Sequence, residues 1–176
     1  MKGILRNRGK RRQGWQRAAA FLTALALFAG VLQMPVLTQA ASKTTCKSLC
    51  KAALDETGGS SKLKYQTTKK DGFSGFRVSD SKKVSSLVYL CDEKEVYAIC
   101  VVKATSKSNA SKLLESMKTF REQNSGSDYL SDYSASEQKV FKNAVCGKKG
   151  KYVWYIAMSE KKSVNKKGQT KIKELL

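Results

Sequence analysis

The chain has 176 residues, with 34 Lys and Arg against 14 Asp and Glu, and its net charge at pH 7 is +20. It contains no His, which excludes Ser-His-Asp and Cys-His catalysis, an imidazole proton shuttle and any His-containing zinc site. The length admits one domain with a real core after a leader segment.

Lys2, Arg6, Arg8, Lys10, Arg11, Arg12 and Arg17 precede an uncharged apolar run over residues 18–34, and no acid interrupts them. Pro35 breaks the run, and a short stretch ends Thr38-Gln39-Ala40. Residues 1–40 therefore read as a signal peptide, cut after Ala40, that exports the protein to the exterior or the cell envelope. The alternative is an uncleaved N-terminal membrane anchor, although the apolar core falls short of the ~20 residues that span comfortably. The first Cys is Cys46, and Ser42-Lys43-Thr44-Thr45 before it is no lipobox.

Without the signal the chain keeps 27 Lys and Arg against 14 acids, or +13, and only Arg77 and Arg121 of these are Arg. Base readout and bidentate phosphate recognition rely largely on Arg, so nucleic acid is not an expected partner. The charge is concentrated late: residues 139–176 hold eleven Lys against Glu160 and Glu174. A Lys-rich surface of this kind keeps an exported protein soluble. It also offers attachment to anionic cell-wall polymer or membrane headgroups through Lys148, Lys149, Lys151, Lys161, Lys162, Lys166 and Lys167.

The elements follow in chain order. Residues 45–56, with Leu49, Ala53 and Leu54 on one side, predict an N-terminal helix within residues 41–60 that stops at Gly58-Gly59. A single α+β domain is expected over residues 61–176. Leu63, Tyr65 and Thr67 alternate like a strand, and residues 76–78 read as another beyond the turn-like Lys69-Lys70-Asp71-Gly72. Residues 87–91 and 96–102 are rich in β-formers and flank the polar Asp92-Glu93-Lys94-Glu95, which predicts a hairpin. The second strand is apolar on both faces, as an interior strand would be. Ser108 is positioned to cap a helix carrying Ala110, Leu113, Leu114, Met117 and Phe120. Ser134-Ala135-Ser136-Glu137 is a capping box that opens a short helix through Val140 and Phe141.

A second hairpin pairs residues 144–146 with 152–158 across Gly147-Lys148-Lys149-Gly150. With Cys146 near Lys151, Val145 shares a face with Tyr152, Trp154 and Ile156, and Ala144 shares the other with Val153, Tyr155 and Ala157. Residues 163–176 read as a last helix that Gly168 weakens. Two hairpins with intervening helices bury their apolar sides together as an α+β two-layer sandwich with a mainly antiparallel sheet.

Val96-Tyr97-Ala98-Ile99-Cys100-Val101-Val102-Lys103-Ala104, the amphipathic helix after it, and Phe141-Lys142-Asn143-Ala144-Val145 leading through Gly150-Lys151-Tyr152-Val153 carry a resemblance. From about Val88 to Leu176 the chain resembles a family of small exported proteins and lipoproteins, mostly of clostridia-like Gram-positive bacteria, known as a domain of unknown function. The resemblance implies an α+β domain on the cell surface and supplies no catalytic residues. The chain departs from many such proteins in lacking a lipobox.

Cys46, Cys50, Cys91, Cys100 and Cys146 all follow the signal. Cys46 and Cys50 are helical neighbours, and bridging them would strain a regular helix. The sulfurs in strand-like runs read as small buried hydrophobes, while a thiol-active exported protein is the alternative, with Cys46 and Cys50 as candidate thiols. No C-x-x-C and no paired metal-ligand spacing occurs, so no metal or cofactor is expected. The two Asp of Ser127-Asp128-Tyr129-Leu130-Ser131-Asp132-Tyr133 lack the ligand density of a calcium loop, and a turn with its tyrosines on the core is the expectation. Tyr152, Trp154 and Tyr155 beside the lysines read as core aromatics. No catalytic constellation emerges, and a non-enzymatic surface protein is the expected class.

Overall fold

The structure, a computed structural model, describes residues 44–176. The segment 1–40, read as a signal or anchor, lies outside them. No helix among the described residues is long and apolar enough to cross a membrane.

Cys46, Leu49, Cys50 and Ala53 recur at helical spacing and form the buried side of α1, Cys46–Thr57. The Thr45 hydroxyl accepts from the Ser48 N–H and the Ser48 hydroxyl from the Thr45 N–H, a reciprocal cap, and Gly58 ends the helix at φ +66°. A short turn then leads to β1, Tyr65–Thr67, and a single helical turn, α2, Val78–Ser81. Next come β2, Val84–Cys91, and β3, Ala98–Ala104, then α3, Lys107–Gln123. The chain continues through α4, Ser127–Leu130, and α5, Ala135–Lys142, to β4, Val145–Lys149, β5, Tyr152–Ala157, and α6, Lys162–Leu175.

The five strands form one sheet in the order β1-β2-β3-β5-β4, with every neighbouring pair antiparallel. The α+β class and the antiparallel sheet are those the sequence predicts. Period-two alternation splits each inner strand between two cores. Leu87, Tyr89, Cys100, Val102, Val153 and Tyr155 face Leu113 and Met117 of α3 and Val140 and Phe141 of α5. Val88, Ile99, Val101, Trp154 and Ile156 face Leu49 and Ala53 of α1 and Ile172 of α6. The second of these interfaces adds a helical layer to the sandwich, so the sheet is covered on both sides. α1 belongs to this same compact unit, and no boundary separates it from the residues after 60.

Gly168, which weakens α6 by propensity, earns its position by packing. A Cβ there would stand 3.0 Å from Thr57 Cγ2 and 3.2 Å from the Ala53 carbonyl oxygen, so the missing side chain lets α6 lie close against α1.

Three local readings are corrected. Residues 76–78 are no strand: the Asp80 carboxylate reaches back to the Arg77 N–H at 3.0 Å and caps the α2 turn, leaving Val78 83% exposed. The α3 cap is Ser106, two residues before Ser108, and its hydroxyl accepts from Asn109 N–H at 3.0 Å. The second hairpin turns at Gly150 and Lys151, with Gly150 at φ +59°, and Cys146 pairs with Tyr155. Gly147 lies within β4 opposite Trp154, where a Cβ would sit 2.6 Å from the indole ring. The register shift is even, so Val145 still shares a core with Trp154, and Ala144 with Tyr155.

Candidate functional site

The seven lysines selected from sequence are all exposed, and the fold divides them between the two ends of α6. Lys161 is its N-cap, and Lys162, Lys166 and Lys167 lie in its first half. Lys148, Lys149 and Lys151 lie at the β4–β5 turn. Lys149 Nζ donates to the Lys173 carbonyl at 2.8 Å, which ties that turn to the last turn of α6, where cations complement the helix end. Lys148 points to the opposite sheet face and donates to the Ser111 hydroxyl at 2.8 Å. Lys162, Lys166 and Lys173 are four and seven apart, which places them on one side of the helix, and all three are exposed. They mark a line of positive charge about 16 Å long at 1.5 Å per residue. Lys173 was not among the residues singled out by sequence, although its spacing from Lys166 carried the signal.

Beside the start of α6 lies a cavity of about 630 Å³, lined by Lys62, Lys139 and Lys161 with Tyr97, Met158, Val164 and the Gly58-Gly59 backbone. Lys62 Nζ lies 3.7 Å from the centre of the Tyr97 ring, a cation–π contact. The cavity wall from Met158 to Lys161 is held by Asn165, which is fully buried. Its Oδ1 accepts from the Met158 N–H at 2.9 Å, and its Nδ2 donates to the carbonyls of Asn143 at 2.9 Å and Ser159 at 3.0 Å. Lys62 and Lys139 escaped the sequence reading, because they belong to different elements and only packing brings them beside Lys161.

A second cavity, of about 460 Å³, lies between α2 and α3 and contains Asp80, Lys83 and Ser116. Burial raises the Asp80 pKa, but Lys83 Nζ at 2.6 Å, the Arg77 N–H and the Ser116 hydroxyl outweigh it and hold the carboxyl below its ordinary value. Its oxygens are engaged in anchoring α2 to α3, which is a structural role.

All five cysteines are free thiols. Cys46 and Cys50 are buried against the sheet at 4% and 1% exposure. Burial raises the Cys46 pKa and pushes Cys50 and Cys146 up to about 12. A nucleophilic thiolate needs the reverse, exposure and a lowered pKa. Native protein at pH 8 is expected to resist iodoacetamide at Cys46 and Cys50, while denatured protein takes five labels, as mass spectrometry will read. Labelling of either residue in the folded protein at the rate of a free thiol would restore the thiol-active alternative.

Tyr129 and Tyr133 stack at 5.3 Å between ring centres and pack edge-on against Phe141, as expected of a turn that docks on the core. Trp154 and Tyr155 are fully buried, so neither contributes to a binding surface.

Fold and site together define a small antiparallel α+β domain with lysines gathered along one terminal helix. Residues 76–158, just under half of the chain, match the family described as Domain of unknown function (DUF4358). No curated protein and no solved structure matches the chain significantly. The matched segment contains β2 to β5 and α2 to α5, whereas α1, β1 and α6 lie outside it.

Proposed function

We propose that this protein is an exported, non-enzymatic binding module of a Gram-positive cell envelope that holds an anionic wall polymer along α6. The observation that carries this reading is the line of exposed lysines Lys162, Lys166 and Lys173, with Lys161 at one end and Lys149 and Lys151 of the β4–β5 turn at the other. A linear array suits an extended polyanion, whose regularly spaced charges can meet successive ammonium groups. Docking on a bilayer calls instead for a charged face with apolar residues to insert. Of the exposed large hydrophobics Tyr65, Val78, Tyr129 and Leu175, only Leu175 lies on α6. The basic N-terminal segment and apolar run, with their small-residue end, support export.

The test is to wash cell envelopes carrying the full-length chain with rising NaCl at pH 7. Release is expected between about 0.15 and 1 M, as the screening length falls from ~8 to ~3 Å. N-terminal sequencing of the released protein should start at residue 41. Protein that never associates with envelopes at low salt, or that follows membranes stripped of wall, would overturn the proposal.

A further inference from the structure

Resting on that reading, we propose that the cavity at the start of α6 is the end-point of the polymer site and binds one phosphorylated polyol or sugar unit. Three lysines from three separate elements line the cavity: Lys62 from the turn after α1, Lys139 from α5 and Lys161 from the β5–α6 connection. Among the described residues none of the three forms an ion pair, as holds for most of the lysines. Like charges facing one hollow repel each other, and an anion placed between them relieves that repulsion. The wall also carries Glu160, whose carboxylate accepts from the Ser136 hydroxyl and offsets one of the three positive charges, leaving a net excess of two.

The floor chooses between anions. Met158, Val164 and the Tyr97 ring provide apolar area, and the volume of about 630 Å³ falls in the range that accommodates small organic ligands. An inorganic ion would leave that area unused, while a polyol or sugar carries carbon to cover it beside its phosphate. The wall is already in place before binding. Asn165 holds the 158–161 segment, and Gly59 has Met158 packed where a Cβ would otherwise lie, at 2.3 Å from its Cε. Little ordering cost remains to be met when a ligand arrives. Lys161, which lines the cavity, directly precedes Lys162 at the start of the α6 line, so a chain that rounds the end of the helix can meet both.

The experiment uses the folded protein without its signal segment, residues 41–176, which hold the whole compact unit. Glycerol 3-phosphate, glycerol, a soluble glycerol-phosphate oligomer and phosphatidylglycerol vesicles serve as probes. Glycerol 3-phosphate should shift the NMR amide signals of Gly58, Gly59 and Lys161, and glycerol should not. Replacing Lys62 and Lys139 by Gln should weaken glycerol 3-phosphate binding about tenfold or more, with the rest of the amide spectrum unchanged, because charge-assisted contacts are lost. Replacing both by Arg should restore most of it. Replacing Lys166 and Lys173 by Gln should weaken the oligomer while sparing the small probe.

If glycerol 3-phosphate leaves those signals in place while the oligomer binds and Lys166 and Lys173 matter, the cavity proposal falls and the polymer reading stands. If neither probe binds, both fall. Binding to vesicles in preference to the oligomer replaces the polymer with a lipid headgroup as the source of the phosphate, and overturns the end-point role.

Discussion

Replacing Phe73 by Ala will lower the stability of the domain by about 3–5 kcal/mol, the cost of emptying a fully buried aromatic site. Phe73 lies on no strand or helix, yet it is completely buried. Its ring meets Phe76 and Phe120 at 5.0 Å, Tyr89 at 5.1 Å and Tyr155 at 5.6 Å between centres, mostly edge to face. Each such pair adds about 0.5–1.5 kcal/mol beyond area burial, so the loss is shared by both the sheet and α3. Gly75 is part of the same fit, since a Cβ there would sit 2.6 Å from the Phe73 ring and 2.7 Å from Phe120 Cβ. Denaturant unfolding of the wild type and the variant measures the difference. Phe76→Ala, at a half-buried position, serves as comparison and should cost less than half as much. A Phe73→Ala loss of 1 kcal/mol or below would mean that the loop between β1 and α2 is not held by this ring.

The second large effect is expected at Asn165. Truncation to Ala removes one acceptor and two donors, leaving the Met158 N–H and the Asn143 and Ser159 carbonyls without their partner. An unpaired buried polar group costs about 1–3 kcal/mol, so Asn165→Ala should cost about 3 kcal/mol or more, less whatever water recovers. Asn165→Asp keeps the acceptor but loses both donors and buries a charge, and should be no better. Hydrogen exchange at the Met158 amide should accelerate in both variants beyond the change in global stability. Binding of glycerol 3-phosphate should weaken with it, because the same residues wall the cavity. Unchanged exchange at Met158 in Asn165→Ala would show that the 158–161 segment is held by something else.

Consecutive residues carry most of what was legible. α3 and α5 could be read from Leu113, Met117, Val140 and Phe141 because helical periodicity is a property of a single stretch. The inner strands showed themselves by runs that are apolar at consecutive positions, as Val101 and Val102, or Trp154 and Tyr155, which face opposite cores. The misreadings occurred where one side chain decided the local structure. Asp80 turns an apparent strand at residues 76–78 into a capped turn, and of the two glycines that flank Lys148-Lys149 it is Gly150, at φ +59°, that turns the chain, while Gly147 leaves room for the Trp154 ring within β4. Of the candidate site, the lysines of α6 were legible by count, and Lys62 and Lys139 were not.

The sequence by itself determined the chemistry available to this protein. Without His it has no imidazole chemistry, and beyond residue 40 all its cations but Arg77 and Arg121 are lysine, so it offers ammonium rather than guanidinium charge to a partner. It also determined the element types, since α+β alternation is written in period and propensity. Only the tertiary structure decided that β5 inserts between β3 and β4, that helices cover both faces of the sheet, and that residues 62, 139 and 161 surround one cavity. The physical reason is range. Propensity and periodicity act over a few residues, whereas strand order and a shared cavity arise from burying apolar faces contributed by segments a hundred residues apart.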